Sequence, residues 1–137
     1  MPTPQEIAYD QTVREDIELF RQQAEAFTAG QLTDDQFRAV RLRRGIYGQR
    51  QPGVHMVRTK VPAGMVTVGQ MHQLASIADD FGGGRAHLTT RQNVQYHFVP
   101  LARVPDLLHK LADVHPRSLL QHGPKRDCVP GGGDCGG

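Results

Sequence analysis

The sequence predicts an α+β fold in which the elements follow the order β-α-β-β-α behind a short helical segment. Two observations predict this order. Apolar and polar residues alternate over residues 54–61 and 87–99, which is the period of a half-buried strand. Apolar residues recur at helical spacing in four other stretches, three of which begin with a helix-capping motif. Clusters of glycine and proline separate these stretches.

The first 45 residues are predicted to form an N-terminal helical arm. A T-x-x-E capping box at Thr12 places the start of the first helix there, and the helical spacing continues to Gly30. The apolar residues at this spacing are Val13, Ile17, Phe20, Ala24 and Phe27. A second capping box, T-x-x-Q at Thr33, opens a shorter helix that ends by Gly45.

Residues 46–114 are predicted to form a second unit, which opens with the turn-rich connection "GIYGQRQPGV". The segment "VHMVRTKV" is its first strand and is closed by "PAG". A third capping box, T-x-x-Q at Thr67, opens a helix that ends at the glycines of residues 82–84. The predicted apolar face of this helix consists of Val68, Met71, Leu74, Ile77, Ala78 and Phe81.

The stretch "HLTTRQNVQYHFV" supplies two further strands with a bend at residues 91–93. A last amphipathic helix follows Pro100, with Val104, Leu107, Leu108, Leu111 and Ala112 on its apolar face. The order β-α-β-β-α is a split βαβ, one strand short of a ferredoxin-like unit. We therefore expect the sheet edge that a further strand would cover to be open or poorly paired.

Alternation divides the strand residues between two faces of the sheet. Val57, Thr59 and Val61 share the face that we expect to pack on the helices. The other face is predicted to be polar and cationic, with Met56, Arg58, Lys60, His87, Thr89, Arg91, Gln95 and His97. This arrangement predicts a two-layer structure with an apolar back and a hydrogen-bonding front.

The charge is distributed unevenly, although the net charge is only +2. Residues 1–35 carry eight acidic residues against Arg14 and Arg21, whereas residues 36–105 carry only Asp79 and Asp80 against ten Lys or Arg and four His. A single Arg or His on a strand is usually a solvent-facing group. A cluster of cations without acids on one sheet face instead favours an external anion, and Arg pairs well with carboxylates.

The two stretches "VRTKVPAGMVT" and "HLTTRQNVQYHF" together resemble the N-terminal ferredoxin-like half-domain of the siroheme-dependent nitrite/sulfite reductases. The resemblance covers residues 42–114. It implies that Thr89, Arg91 and Gln95 bind the periphery of siroheme, a polycarboxylate macrocycle. It also implies that Arg58 is the catalytic residue facing nitrite or sulfite and, in addition, a cofactor-binding residue. Lys60 and His87 occupy positions at which relatives often carry Arg, and they are further cofactor-binding candidates.

The implied reaction is the six-electron reduction of nitrite to ammonia or of sulfite to sulfide. In the complete enzyme the electrons come from a donor such as ferredoxin or a flavoprotein, and a 4Fe–4S cluster accompanies the siroheme. The cysteine ligands of that cluster are not expected in this chain. We therefore expect a fragment that is not active alone.

Residues 115–137 depart from the family pattern, which continues into a segment like "CxNTVRNVTACP". Read one nucleotide out of frame, allowed codons for residues 115–130 can encode "TREACSNTVRNVTACP". This predicts a frameshifted, truncated relative with an unpacked, disordered tail, because residues 122–137 are glycine-rich and nearly devoid of apolar residues. Cys128 and Cys135 match no common zinc spacing and are expected to bind no metal.

A different class of function stays open: a non-enzymatic ferredoxin-like module that binds an anionic partner such as RNA through its basic sheet face. RNA-binding sheets of this topology expose aromatic rings on the binding face. Alternation places Tyr96 and Phe98 on the face opposite Gln95, which favours the tetrapyrrole over nucleic acid. A structural remnant without a ligand is a third hypothesis.

The cellular location is predicted to be the cytoplasm, with no membrane partner. The N-terminus "MPTPQEIAYD" has neither the basic nor the apolar region of a signal peptide. No apolar run approaches the roughly 18 residues of a membrane span.

Overall fold

The computed structural model describes residues 4–61 and 64–113, with side chains described from Asp10 onward. Four α-helices are found in these residues: α1 (Pro4–Thr28), α2 (Asp34–Leu42), α3 (Val68–Phe81) and α4 (Val104–Ala112). Four strands form one antiparallel sheet: β1 (Ile46–Gly48), β2 (Val54–Lys60), β3 (His87–Leu88) and β4 (Asn93–Pro100). A short 3₁₀ helix, Leu101–Arg103, joins β4 to α4.

The order of the strands in the sheet is β1-β2-β4-β3. Both β2 and β3 run antiparallel to β4, so they are parallel to each other with β4 inserted between them. Helix α3 connects them, and this is the split βαβ arrangement. The predicted fold class, an α+β ferredoxin-like half-domain preceded by helices, is confirmed.

The first edge of the sheet differs from the prediction. The connection that was expected to be only turns contains β1, which pairs with β2 from Ile46 opposite Val57 to Gly48 opposite His55. Ile46 is fully buried, and the Arg58 N–H donates to the Gly45 carbonyl at 2.8 Å. The β2 edge is therefore not fully open, because β1 covers it at His55, Met56 and Val57, three of its seven residues. Burial of a single β-branched residue stabilises a strand too short for its period to be recognised in the sequence.

The helix starts agree with the capping motifs at two of three positions. At Thr33 the hydroxyl accepts the Gln36 N–H at 3.2 Å, and the Gln36 side chain accepts the Thr33 N–H at 2.9 Å. The same reciprocal pair forms between Thr67 and Gln70. Helix α1 instead begins at Pro4, so the predicted start at Thr12 was wrong. A proline suits the first helical turn, and nothing before Thr12 interrupts the helix.

The helices share one apolar core with the back of the sheet. Phe37 of α2 stacks on Phe27 of α1, with ring centroids 4.4 Å apart, and Tyr96 of β4 donates its hydroxyl to the Leu74 carbonyl of α3 at 2.9 Å. The largest buried side chains are Tyr96, Phe20, Phe37, Ile46, Ile77, Leu107, Leu108, Leu111, Val13, Val57, Val99 and Val104. The predicted apolar face of α4 is confirmed. The N-terminal helices thus pack into the same core as the half-domain, although the domain boundary itself stays a prediction.

The predicted face of α3 is buried only in part. Leu74, Ile77 and Ala78 lie in the core, whereas Val68 and Met71 are exposed. The exposed end borders an apolar groove of about 610 Å³ between α3 and the β3–β4 hairpin, which includes Leu88. Helical spacing identifies an apolar stripe but not how far along the helix the rest of the fold covers it. No helix among the described residues is long and apolar enough to span a bilayer.

Candidate anion-binding site

The candidate site is the front face of the sheet, on the side opposite the helical core. Residues that are directly opposite each other on antiparallel strands project to the same side. Arg58 lies opposite Gln95, and Gln95 lies opposite His87. On the next strand, Tyr47 lies opposite Met56. The front face is therefore defined by Tyr47, Met56, Arg58, Lys60, His87, Gln95 and His97. Six of the eight residues predicted for this face belong to it, and the two that do not are Thr89 and Arg91.

Arg58 is held by two neighbouring side chains. With the Gln95 amide oxygen assigned toward it, that oxygen accepts hydrogen bonds from Arg58 Nε at 3.2 Å and Nη2 at 3.1 Å. The guanidinium carbon also lies 4.8 Å from the centroid of the Tyr47 ring. Within the described residues, no carboxylate pairs with Arg58. Tyr47 was not predicted as a site residue, because residue 47 was assigned to a turn and lies instead in β1.

The hairpin turn holds two of the predicted residues outside the strands. β3 ends at Leu88, so Thr89 and Arg91 do not continue its alternation as predicted. The Thr89 hydroxyl donates to Asn93 Oδ1 at 2.5 Å and accepts the Arg91 N–H at 3.3 Å, which braces the turn. Gln92 has a φ of 59°, the left-handed conformation that lets the chain reverse within a few residues.

Arg91 is exposed at the tip of this turn. Its side chain makes no hydrogen bond or ion pair in the part of the chain that the structure describes. Lys60 lies opposite the buried Asn93, at the end of the front face that is nearest to the hairpin turn. The structure therefore brings Arg58, Gln95 and His87 together on the front face, and Lys60 lies at the end of that face near the hairpin turn. Arg91 lies apart from them, in the turn itself.

A β-bulge changes the other end of the front face. His55 pairs with Val99 and Val57 with Tyr96, so two residues of β4 lie opposite Met56 alone. Phe98 takes a φ of 59° at this irregularity and is 57% exposed, while Val99 is buried. The centroid of the Phe98 ring lies 6.2 Å from that of the His97 ring. The prediction that Phe98 lies on the face opposite Gln95 was wrong, because the extra residue of a bulge reverses the alternation.

The loop after β1 fixes this bulge. Gln49 accepts the Phe98 N–H through its side-chain oxygen at 2.7 Å, and its amide nitrogen lies 3.3 Å from His97 Nδ1. The His97 ring is in turn 5.9 Å from the His87 ring. At this end of the front face the rings of His87 and His97 therefore lie near each other, and the ring of Phe98 at the bulge lies next to that of His97.

The ion pairs found among the described residues all lie on the helical side of the sheet. Arg14 pairs with Asp113, Arg21 with Asp106, Arg44 with Asp16 and Lys110 with Asp80. On the front face, Arg58 is paired with no carboxylate of the described residues. Such a surface attracts anions, and the fixed guanidinium suits an oxyanion or carboxylate.

Behind the sheet, one titratable group escaped the sequence analysis. His55 is buried against the edge of the Phe37 ring, and its Nδ1 has no hydrogen-bond partner in the described residues. Burial, and secondarily the nearby Arg41 charge, lower the pKa of His55. His55 shares the buried face with Val57 and does not reach the front.

Comparison with known proteins now connects this arrangement to a family. Residues 47–114 match the model of the nitrite/sulfite reductase ferredoxin-like half domain. A ferredoxin–nitrite reductase of Synechococcus elongatus is 39% identical over 64 residues, which cover 47% of this chain and 12% of that protein. A chloroplastic ferredoxin–nitrite reductase of Zea mays is 40% identical over 106 residues, which cover 74% of this chain and 18% of that protein.

A solved structure shares the fold. The NirA protein of Mycobacterium tuberculosis superposes with a TM-score of 0.60 at 22% identity, over 77% of this chain and 24% of that one. The match to this chain covers less than a fifth of the length of the nitrite reductases from Synechococcus elongatus and Zea mays. Its segment from residue 47 to residue 114 belongs to the nitrite/sulfite reductase ferredoxin-like half-domain family.

Proposed function

We propose that this chain is the siroheme-contacting N-terminal fragment of a nitrite or sulfite reductase and is incomplete on its own. The observation that carries the proposal is the front face, where Arg58 is fixed by Gln95 and Tyr47 and is paired with no described carboxylate. Fixed donors aimed at a developing or bound negative charge are the common contribution of a protein to this kind of chemistry.

The side chains of the front face fit a carboxylate-rich macrocycle by their donor chemistry. Because the Gln95 oxygen faces Arg58, its amide N–H groups remain for an external acceptor. His87 and Arg91 are exposed, and Lys60 lies at the same end of the face. Thr89 already bonds within the turn, so its proposed contact rests on the family resemblance.

One set of residues would bind the cofactor, and Arg58 would bind the substrate. Lys60, His87, Thr89, Arg91 and Gln95 would hold siroheme at its periphery, and Arg58 would orient the substrate oxyanion and stabilise its negative charge. When bound, siroheme supplies the iron for the redox steps. Nitrite and sulfite are both proposed substrates. The 4Fe–4S cluster and an electron donor such as ferredoxin or a flavoprotein belong to the proposed complete enzyme.

A second candidate function is favoured by one specific observation. The bulge brings Phe98 to the front face, and β1 brings Tyr47 there, so two aromatic rings accompany the cations. Aromatic platforms beside basic groups are typical of sheets that bind single-stranded RNA. Aromatic rings beside the front face, which were not expected from the sequence, make RNA a more plausible ligand. A stand-alone module binding RNA is therefore the alternative to test.

The test is titration of the 137-residue chain with uroporphyrin III, a tetrapyrrole that carries carboxylates at its periphery, followed by its absorbance bands. We expect weak, salt-sensitive binding that falls about tenfold or more when Arg58, Lys60 and Arg91 are changed together to alanine. Arg38→Ala on the exposed side of α2 is the matched control and should leave binding unchanged.

Two outcomes would contradict the proposal. Equal binding by the triple variant and by Arg38→Ala would show that the front face is not the tetrapyrrole site. Displacement of the porphyrin by a single-stranded RNA oligomer, with tighter binding of the RNA that is lost in Phe98→Ala, would favour the alternative function.

A further inference from the structure

Tyr47 and Gln95 contact the same guanidinium group from different directions. Tyr47 lies on β1 and Gln95 on β4, so Arg58 on the central β2 lies between them. The guanidinium carbon lies over the Tyr47 ring, 4.8 Å from its centroid, and the oxygen of Gln95 accepts from Nε and Nη2. A guanidinium held from two directions in this way keeps little freedom to rotate.

This arrangement decides which donors of Arg58 remain for a ligand. A guanidinium carries five N–H groups in one plane. Gln95 occupies one on Nε and one on Nη2. The remaining edge, formed by Nη1 and the second N–H of Nη2, is the edge that binds an oxyanion through two parallel hydrogen bonds.

We propose that Tyr47 is a positioning residue that acts through Arg58 and presents this edge to a bound oxyanion. The inference rests on the proposed function of the front face as an anion site. The contact involves the ring, and the Tyr47 hydroxyl makes no hydrogen bond with the described residues. The ring, and not the hydroxyl, is therefore the part of Tyr47 that holds Arg58 in place. Tyr47→Phe should therefore preserve the positioning of Arg58, whereas Tyr47→Leu should lose it.

The test follows sulfite binding to the ¹⁵N-labelled 137-residue chain by NMR at constant ionic strength, using the Arg58 Nε–H signal. In the wild-type chain this signal should be shifted by the Tyr47 ring and should move as sulfite is added. Tyr47→Phe should bind as the wild type does. Tyr47→Leu should bind about two- to fivefold more weakly, with the Nε–H signal at the position of an unstacked arginine.

A double variant separates positioning from a general structural effect. If Tyr47 acts through Arg58, Tyr47→Leu should cause no further loss in an Arg58→Ala chain. Full sulfite affinity in Tyr47→Leu, together with a loss in Arg58→Ala, would overturn the positioning role and leave the proposed function intact. Full affinity in Arg58→Ala would instead overturn the anion site itself. If Tyr47→Leu does not fold, an unshifted Nε–H signal in the wild-type chain would overturn the stacking.

Discussion

At the scale of single residues, His55 has the clearest consequence for stability. Its imidazole is buried, Nδ1 has no hydrogen-bond partner among the described residues, and burial lowers its pKa below the ordinary value of 6.5. The unfolded chain therefore binds the proton more readily than the folded chain does. The stabilising effect of the neutral ring is present above the unfolded-state pKa and is lost as the pH falls through that value toward the folded-state pKa.

We therefore predict that His55→Phe loses less stability than the wild-type chain between pH 7.5 and pH 5.5. Phenylalanine keeps a ring against Phe37 and has no proton to bind. The measurement is urea unfolding at both pH values. His72→Gln, on the exposed side of α3, is the control and should follow the wild type. The same pH dependence in His55→Phe and in the wild type would remove His55 as the cause.

The sequence predicted single residues well where the strands are regular. Arg58, Lys60, His87 and Gln95 share a face, because regular pairing preserves the alternation that the sequence shows. Phe98 was assigned to the wrong face because a bulge inserts one residue without a distinctive sequence signal. Thr89 and Arg91 were assigned to a strand that in fact ends at Leu88, because β-branched and polar residues suit a turn as well as an edge strand.

At the scale of elements, β1 is the strand that the sequence did not predict. Its stability depends on Ile46, whose side chain is fully buried in the core between the sheet and the helices. We predict that Ile46→Ala lowers the free energy of unfolding by about 2–5 kcal/mol, the usual range for emptying a core site of this size. Leu88→Ala, at a position that is 71% exposed, should change it by less than about 0.5 kcal/mol.

Urea unfolding of the two variants, monitored by circular dichroism, checks this prediction. Equal stabilities would mean that β1 is only loosely attached to the sheet. The anion site would then lose one of its two supports for Arg58, since Tyr47 is the neighbour of Ile46 in the same strand. The element that closes the sheet edge is thus also the element that carries the positioning ring.

At the scale of the whole molecule, the sequence predicted the layer arrangement correctly. Capping boxes at Thr33 and Thr67 fix where two helices begin, and the periods of the strands fix which side meets the helices. The contribution of the N-terminal helices to the same core was not predictable, since it depends on contacts between Phe37 and distant parts of the chain. The predicted disorder of residues 115–137, and the roles of Cys128 and Cys135, lie outside the described residues.

The reading-frame hypothesis is also a prediction about the whole molecule. The DNA that encodes residues 115–130 should, one nucleotide out of frame, encode "TREACSNTVRNVTACP" and then continue as an open frame. Sequencing that DNA checks it directly. Unrelated residues in the shifted frame would contradict the hypothesis and would favour the stand-alone binding module instead.

The pairing of β1 with β2 also affects the order in which the sheet can form. Only a short loop separates these two strands, so their pairing is a local hairpin that can close within microseconds. Pairing of β2 with β4 must wait until the intervening helix and β3 are available, and closing that longer loop costs more chain entropy. A chain that folds while it is being synthesised would therefore carry β2 already paired on one side, so that β4 can add to β2 only on the other side.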